Sequence, residues 1–436
     1  MLLADNKINV AFWNIQNLFD TTSSDFALDF EFTPANGYDE TVRDVKIDNL
    51  VEIFSSMFEN GPDLIGLCEI ENEFLAQEIA NRLNKTMGED ILRVATYKDS
   101  PDIRAIDTCL IYSSKVFNFL ESNAFNIHLR YPTRDLYYVK LRVKQNNSDL
   151  HVFVNHWPSR RGKDDFTESD DTEFARCVVA ENCGKIIDDI LKIPRAESRL
   201  LPDCIIDCDK RDNINDPVDD FISTEEKDEQ KEEIITKIES KWNENILLMG
   251  DFNDEPYNKS LMKYLYSTPN KELLRDWKTV WRLIRKDPLN KKKDKEIYIE
   301  EKPTLFNCMW SLIPDGTHFF YKTNSLFLFD QFIVSKGLFE ARKNLEIDLD
   351  SIEIYKEGIS LGSNLEDEEF DVSANYNNNQ KPHPILKSSP MNFLYSYQRI
   401  DKQGMMPKDI FFDNNARSPN TGYSDHFPIK CVIKIV

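Results

Sequence analysis

Six short polar motifs in this chain carry residue types able to hold a hard cation and to move protons. Asn14 ends the run VAFWN, and Glu69 stands in GLCEIEN. Asn155 and His156 end FVNHW, and Asp251 and Asn253 follow LLMG in the string GDFND. Asp330 lies inside LFLFDQF, and Asp425 and His426 open the last apolar run in GYSDHFPI. The set offers carboxylates, carboxamides and two imidazoles, with no paired cysteine ligands. Oxygen donors of this kind suit Mg²⁺ or Mn²⁺, and imidazoles handle protons and phosphate charge. Each motif alone has an ordinary structural reading. A strand Glu can be a paired core charge, a His beside a Trp a hydrogen-bonded structural residue, and GDFN a glycine turn with Asx capping. The weight falls on the combination and its order.

Such residues work together only if the fold gathers them. Short apolar runs read as buried or half-buried strands at 8–15, 64–70, 107–113, 136–143, 150–157, 245–252, 326–335 and 427–436. Helical spacing occupies 42–58, 74–87 and 173–192 between some of them. Strands interspersed with helices predict an α/β protein. Every polar motif sits at or near a strand end, where α/β sheets bind ligands, so distant residues are expected to meet in one pocket. The 436 residues fit a single large domain, 1–436, carrying two insertions. Residues 197–244 include NDPVDDFISTEEKDEQKEE, too acidic and too poor in apolar residues for a core, and 341–420 contain EDEEFD and YNNNQ.

Bulk properties narrow the partners. The net charge is −22 and the sequence pI about 4.8, so nucleic acid or an anionic membrane must be met by a local basic patch or a bound cation. Cys68, Cys109 and Cys431 lie in apolar runs and read as small buried hydrophobes. Cys204 and Cys208 form the closest pair, without nearby partners for a zinc site. The first ten residues lack the pattern of a signal peptide, and no window is apolar enough for a membrane span. A reduced, cytoplasmic protein is the expectation.

The ordered set WN, E, NHW, GDFND, strand Asp and SDH resembles the endonuclease/exonuclease/phosphatase superfamily, with its DNase I-like fold. The strings NHWPSRRG (155–162), GDFNDEP (250–256) and SPDIRAIDTCLIY (100–112) resemble a bacterial-type subgroup most. The resemblance runs from Asn14 to His426 and omits the two insertions. It implies a four-layer α/β/β/α sandwich of two packed mixed sheets, with the pocket at one edge. It also implies roles. Glu69 is the principal metal ligand, with Asn14 beside the metal and phosphate and Asp425 an additional ligand. Asp251 activates water, and Asn253 orients it. His426 binds the phosphoryl group, held by Asp330, and His156 is a second catalytic imidazole. Asn155 stands beside it as a substrate contact. Arg160 and Arg161 would add forked donors for phosphate, with Arg104 and Arg134 as further arginines of the same kind.

Two departures refine this. Gln16 stands where many nuclease members carry an acidic residue, which argues against a second tightly held metal. Asp254 follows GDFN, and Gln331 follows Asp330, so the inositol-phosphatase branch does not fit. The implied activity is metal-dependent phosphodiester hydrolysis with Mg²⁺ or Mn²⁺, with nucleic acid as the first-choice substrate. A lipid or small phosphoester is the alternative, and an inactive interaction module the remote one. Trp13, Trp157, Phe252 and Trp310 lie near the motifs and are candidates to stack on bases, with core packing preferred for Trp13 and Phe252.

Overall fold

The structure is a computed structural model. It describes residues 6–23, 29, 32–34, 38–160, 170–191, 236, 239–274, 304–320, 325–356, 424 and 426–436. The first sheet is built from β1 (Lys7–Leu18), β2 (Leu64–Ile70), β3 (Leu92–Val94), β4 (Asp107–Ser113), β14 (Leu345–Ile354) and β15 (Ile429–Ile435). The second contains β5 (Phe117–Phe125), β6 (Leu136–Val143), β7 (Asp149–His156), β8 (Asn245–Asp251), β9 (Ser267–Thr268), β10 (Leu305–Asn307) and β13 (Asp330–Val334). A separate hairpin joins β11 (His318–Phe320) to β12 (Ser325–Phe327). The helices are α1 (Glu40–Ser56), α2 (Glu73–Met87), α3 (Asp170–Leu191) and the short α4 (Lys336–Phe339).

Strand order is β14-β15-β1-β2-β4-β3 in one sheet and β5-β6-β7-β8-β13-β10-β9 in the other. Both sheets are mixed, because β1–β2 and β7–β8 pair in parallel while their neighbours run antiparallel. The central strands read as near-continuous apolar runs because both of their faces are covered, and β8 is buried at every position. One core joins residues of the two sheets, such as Phe12, Leu67, Val152 and Met249, to Leu50 and Phe54 of α1 and Ile79 and Leu83 of α2. A second core lies on the far face of the other sheet, where Phe153, Ile246 and Leu248 meet Val179, Cys183 and Ile187 of α3. The layers are therefore α/β/β/α, as the resemblance implied. Among the described residues, no helix is long and apolar enough to cross a membrane.

Every strand and helix expected above is present, with one division. The run LFLFDQFIVS holds two elements, β12 and β13. The break follows from Thr317, whose hydroxyl accepts from the backbone N–H groups of Phe329 and Asp330 at 3.2 and 3.1 Å and so removes both from a continuous ladder. Part of the range expected above as the second insertion belongs to the first sheet. Residues 345–354 form β14, which pairs antiparallel with β15, its alternating charges facing outward from an edge. The rest of both insertions lies outside the described residues, except 236, 239–244 and the remaining residues up to 356.

Gly250 permits the close approach of β7 and β8. A Cβ there would lie 2.4 Å from the Asn155 carbonyl oxygen and 2.5 Å from Asn155 Cβ. Gly250→Ala is expected to cost about 1–3 kcal/mol in urea unfolding, the usual penalty of overpacking. It should also depress turnover, because His156 and Asp251 are the next rung of that ladder.

Candidate active site

Strand register alone places three of the polar residues in a row. His156 of β7 is the Cα partner of Asp251 of β8, and Asp251 is the partner of Asp330 of β13. Residues in register on adjoining strands project to the same face. Asn14 and Glu69 approach from the other sheet at the ends of β1 and β2. There both strands leave regular pairing, between Asn14 and Leu18 and between Cys68 and Ile70. Glu69 adopts φ 65°, which turns its carboxylate out of the strand's alternation.

The cluster converges on one carboxylate oxygen. Asp251 Oδ2 accepts from Asn14 Nδ2 at 3.0 Å and lies 3.8 Å from both His156 Nε2 and His426 Nε2. Asn14 Nδ2 also lies 3.4 Å from Glu69 Oε1, and His156 Nε2 is 3.5 Å from that same oxygen. Asn253 donates its backbone N–H to Asp251 Oδ1 at 2.8 Å and its amide to the Trp157 carbonyl at 2.9 Å. Burial pushes the Asp251 carboxyl up to about 7. The neighbouring Asp330 charge adds to the rise, while His426 and the Asn253 and Asn14 N–H groups oppose it.

His426 is held on every side. Its Nδ1 lies 2.7 Å from Asp330 Oδ2, its carbonyl accepts from the Trp13 indole at 2.8 Å, and its N–H donates to Ser424 Oγ at 3.0 Å. The buried Asp330 therefore fixes the proton on Nδ1 and leaves Nε2 aimed at Asp251. His156 sits in a different field. The Arg134 guanidinium approaches both ring nitrogens, at 3.2 Å from Nδ1 and 2.8 Å from Nε2, and ion-pairs with Asp102 at 2.9 Å. Burial first, then the charges of Arg134, Arg104 and His426, hold His156 well below the usual histidine range, so it is neutral at physiological pH. Burial would raise Asp102, but Arg134 and Arg104 hold it below the ordinary aspartate value.

Arg160 forms the opposite rim. It donates to the Asn253 carbonyl at 2.9 Å and to Asn258 Oδ1 at 2.7 Å, and pairs with Asp254 at 3.2 Å. Its guanidinium also lies 4.8 Å from the Phe329 ring. The fully buried Arg176 of α3 shares the Asp254 carboxylate at 2.8 Å, so α3 and the GDFND turn are tied through one aspartate.

The donor set fits one hard cation held openly. Among the described residues, no three His, Cys, Asp or Glu side chains form a closed cage. Mg²⁺ characteristically takes one or two carboxylates and keeps several waters. Glu69, with its side chain 15% exposed beside Asn14, would be such a half-open ligand. The neutral Gln16 places no further carboxylate there.

The structure thus gathers Asn14, Glu69, His156, Asp251, Asn253, Asp330 and His426, with Arg104 and Arg160 at the rim. Asn155 lies apart from this cluster. Its amide oxygen accepts from the Trp157 indole at 3.1 Å, and its nitrogen faces the Phe153 and Met249 carbonyls at 3.3 Å. The period of two along β7 turns it away from His156, and its hydrogen bonds brace the strands. Trp157 is likewise no stacking surface, being fully buried against Phe252. Asp425 and Arg161 lie outside the described residues. The Asp102–Arg134 pair was missed as a unit. Both partners are polar residues in loops that precede strands, and nothing in their spacing shows that 32 residues of chain bring them together.

The sequence model described as the Endonuclease/Exonuclease/phosphatase family matches residues 9–237. No curated protein matches the chain. Among solved structures, an endonuclease/exonuclease/phosphatase family protein from Bacteroides thetaiotaomicron is similar at 11% identity and TM-score 0.43, covering 99% of this chain and 98% of that one. The human nocturnin catalytic domain with bound sulfate is similar at 12% identity and TM-score 0.41, covering 100% and 97%. A mannosyl-6-phosphatase of B. thetaiotaomicron is similar at 11% identity and TM-score 0.41, covering 98% and 99%. With more than half of its residues matched by that family's sequence model, the chain belongs to the endonuclease/exonuclease/phosphatase family.

Proposed function

We propose that the chain is a divalent-metal-dependent phosphodiesterase, with nucleic acid as its substrate. The observation that carries the reading is the meeting, at Asp251 Oδ2, of the Asn14 carboxamide and the His156 and His426 imidazoles, drawn from three parts of the chain distant from one another and from Asp251. In-line hydrolysis of a phosphodiester needs an activated water, neutralised phosphate oxygens and help for the leaving oxygen. Asp251 takes the proton of the attacking water at Oδ2, while Asn253 holds that carboxylate through its backbone N–H and orients the water with its amide. His426, held by Asp330 and protonated on both ring nitrogens, donates from Nε2 to the phosphoryl oxygens and counters the negative charge that builds on them. His156, kept neutral by burial and Arg134, is the second imidazole at the same face and serves proton transfer from Nε2. Glu69 and Asn14 would hold Mg²⁺ or Mn²⁺, which would supply Lewis-acid neutralisation of the phosphate charge. Arg104 and Arg160 bind flanking phosphate oxygens.

A lipid or small phosphoester is the second reading, favoured by the net charge of −22, which opposes long-range attraction of a polyanion. One experiment separates the two. The full chain with Mg²⁺ or Mn²⁺ is offered plasmid DNA, single-stranded DNA, RNA, bis-nitrophenyl phosphate and phospholipids. Cleavage of nucleic acid that vanishes with a chelator and returns with either ion is the expected result. Turnover confined to lipid or small esters selects the second reading, and full turnover after exhaustive demetallation rejects both.

A further inference from the structure

The bulge in β1 is a device that holds both candidate metal-binding side chains, and it is pinned from outside the site. Gln16 and Asn17 adopt φ 48° and 57°, left-handed conformations that residues with a Cβ adopt at a cost. In return their N–H groups turn toward the site. Gln16 N–H donates to Asn14 Oδ1 at 3.0 Å, and Asn17 N–H donates to Glu69 Oε2 at 3.1 Å. The same turn points the Gln16 carbonyl away from the β2 ladder and into a buried region. There the Lys46 ammonium of α1 donates to it, from a side chain only 3% exposed. The approach to α1 ties down the next residues. Phe19 exchanges hydrogen bonds with the Tyr38 hydroxyl at 3.1 Å, and Arg43 donates to the Asp20 carbonyl at 3.3 Å.

We infer that Lys46 is a positioning residue for metal binding: by holding the Gln16 carbonyl it keeps the bulge in the left-handed form that aims Asn14 and Glu69. The inference rests on the metal-dependent reading above. A buried ammonium is costly to place where a neutral side chain would pack, unless the acceptor it serves matters.

The test is Mn²⁺ binding by the full chain, read by the electron paramagnetic resonance of free Mn²⁺. Metal-free hydrogen exchange at the Asn17 amide is measured in parallel. Lys46→Met, which keeps length and removes the donor, is expected to weaken Mn²⁺ binding by about 10–100-fold, the usual cost of losing a group that orients a ligand. It should also speed exchange at Asn17 before any metal is added. Lys46→Arg should recover part of both. Ile53→Val serves as the stability control, trimming a buried α1 side chain of the shared core. It should lower the melting temperature and leave Mn²⁺ affinity unchanged. Lys46→Met binding Mn²⁺ as wild type does, or Ile53→Val weakening it equally, overturns the inference. If Lys46→Met does not fold, Lys46→Gln must show the same weakening or the inference fails. Wild-type chain that binds no Mn²⁺ overturns the metal reading itself, and this inference with it.

Discussion

Replacing His426 by alanine is expected to lower kcat on any cleaved phosphodiester by about 10²–10⁴ while leaving KM nearly unchanged. The side chain faces Asp251 and Asn14 with Nε2 and is 5% exposed, so it acts on the phosphoryl group rather than on distant parts of a substrate. Asp330→Asn should do less, because the imidazole remains while the charge that fixes its tautomer is lost. The double variant should be little worse than His426→Ala alone, since the Asp330 carboxylate is hydrogen-bonded to His426 Nδ1 at 2.7 Å and holds that ring. Losses that multiply would break the proposed pairing. Near-normal kcat in a folded His426→Ala, with folding checked by circular dichroism, would reject the site.

Asp251→Asn is expected to show opposite effects on turnover and stability. Turnover should fall by about 10²–10⁴ through loss of the base. In chelator at pH 8, however, the variant should melt higher than wild type. The folded carboxyl is raised to about 7 from an ordinary 3.8, so between those values the native state binds more protons than the unfolded chain. Wild-type stability at this group is therefore fully present below about pH 4 and is lost as pH rises through 7. Asparagine removes the buried charge that causes the loss, and its advantage should disappear below pH 4. A variant that is less stable than wild type at pH 8 and no different at pH 4 would show that the Asp251 carboxylate contributes more in binding than burial costs it.

The strands that carry the site were legible because their apolar runs are dense and end in unusual polar residues. LIGLCEI and DTCLIYS match β2 and β4 at both ends. β5 was not legible, since its residues are largely exposed and alternate irregularly, a pattern local sequence shares with loops. β14 was hidden for the same reason: it is an edge strand rich in Asp and Glu and continues directly into chain that reads as irregular. At the site, the residue types announced themselves but their neighbours did not. Asp102 with Arg134, Lys46 with the Gln16 carbonyl, and the Trp13 indole with the His426 carbonyl are contacts between 30 and 413 residues apart, and two of the three end on backbone. Backbone acceptors leave no mark in a sequence, and Asn155 shows the converse, a polar residue at an apt position that serves the strands.

The position of β15 between β14 and β1 also sets a time at which chemistry can begin. Asn14 and His426 stand 3.5 Å apart across 412 residues of chain, and β15 carries His426 at its entrance. A polypeptide emerging from the ribosome acquires Glu69 and His156 early, Asp251 later, and His426 only with the strand that completes the first sheet. Until that strand slots between its two partners, the nascent chain holds Asn14, Glu69, His156 and Asp251 without His426. The same geometry makes β15 a natural severable part: a chain cut before it and a peptide bearing it should each be inert, and activity should return on mixing.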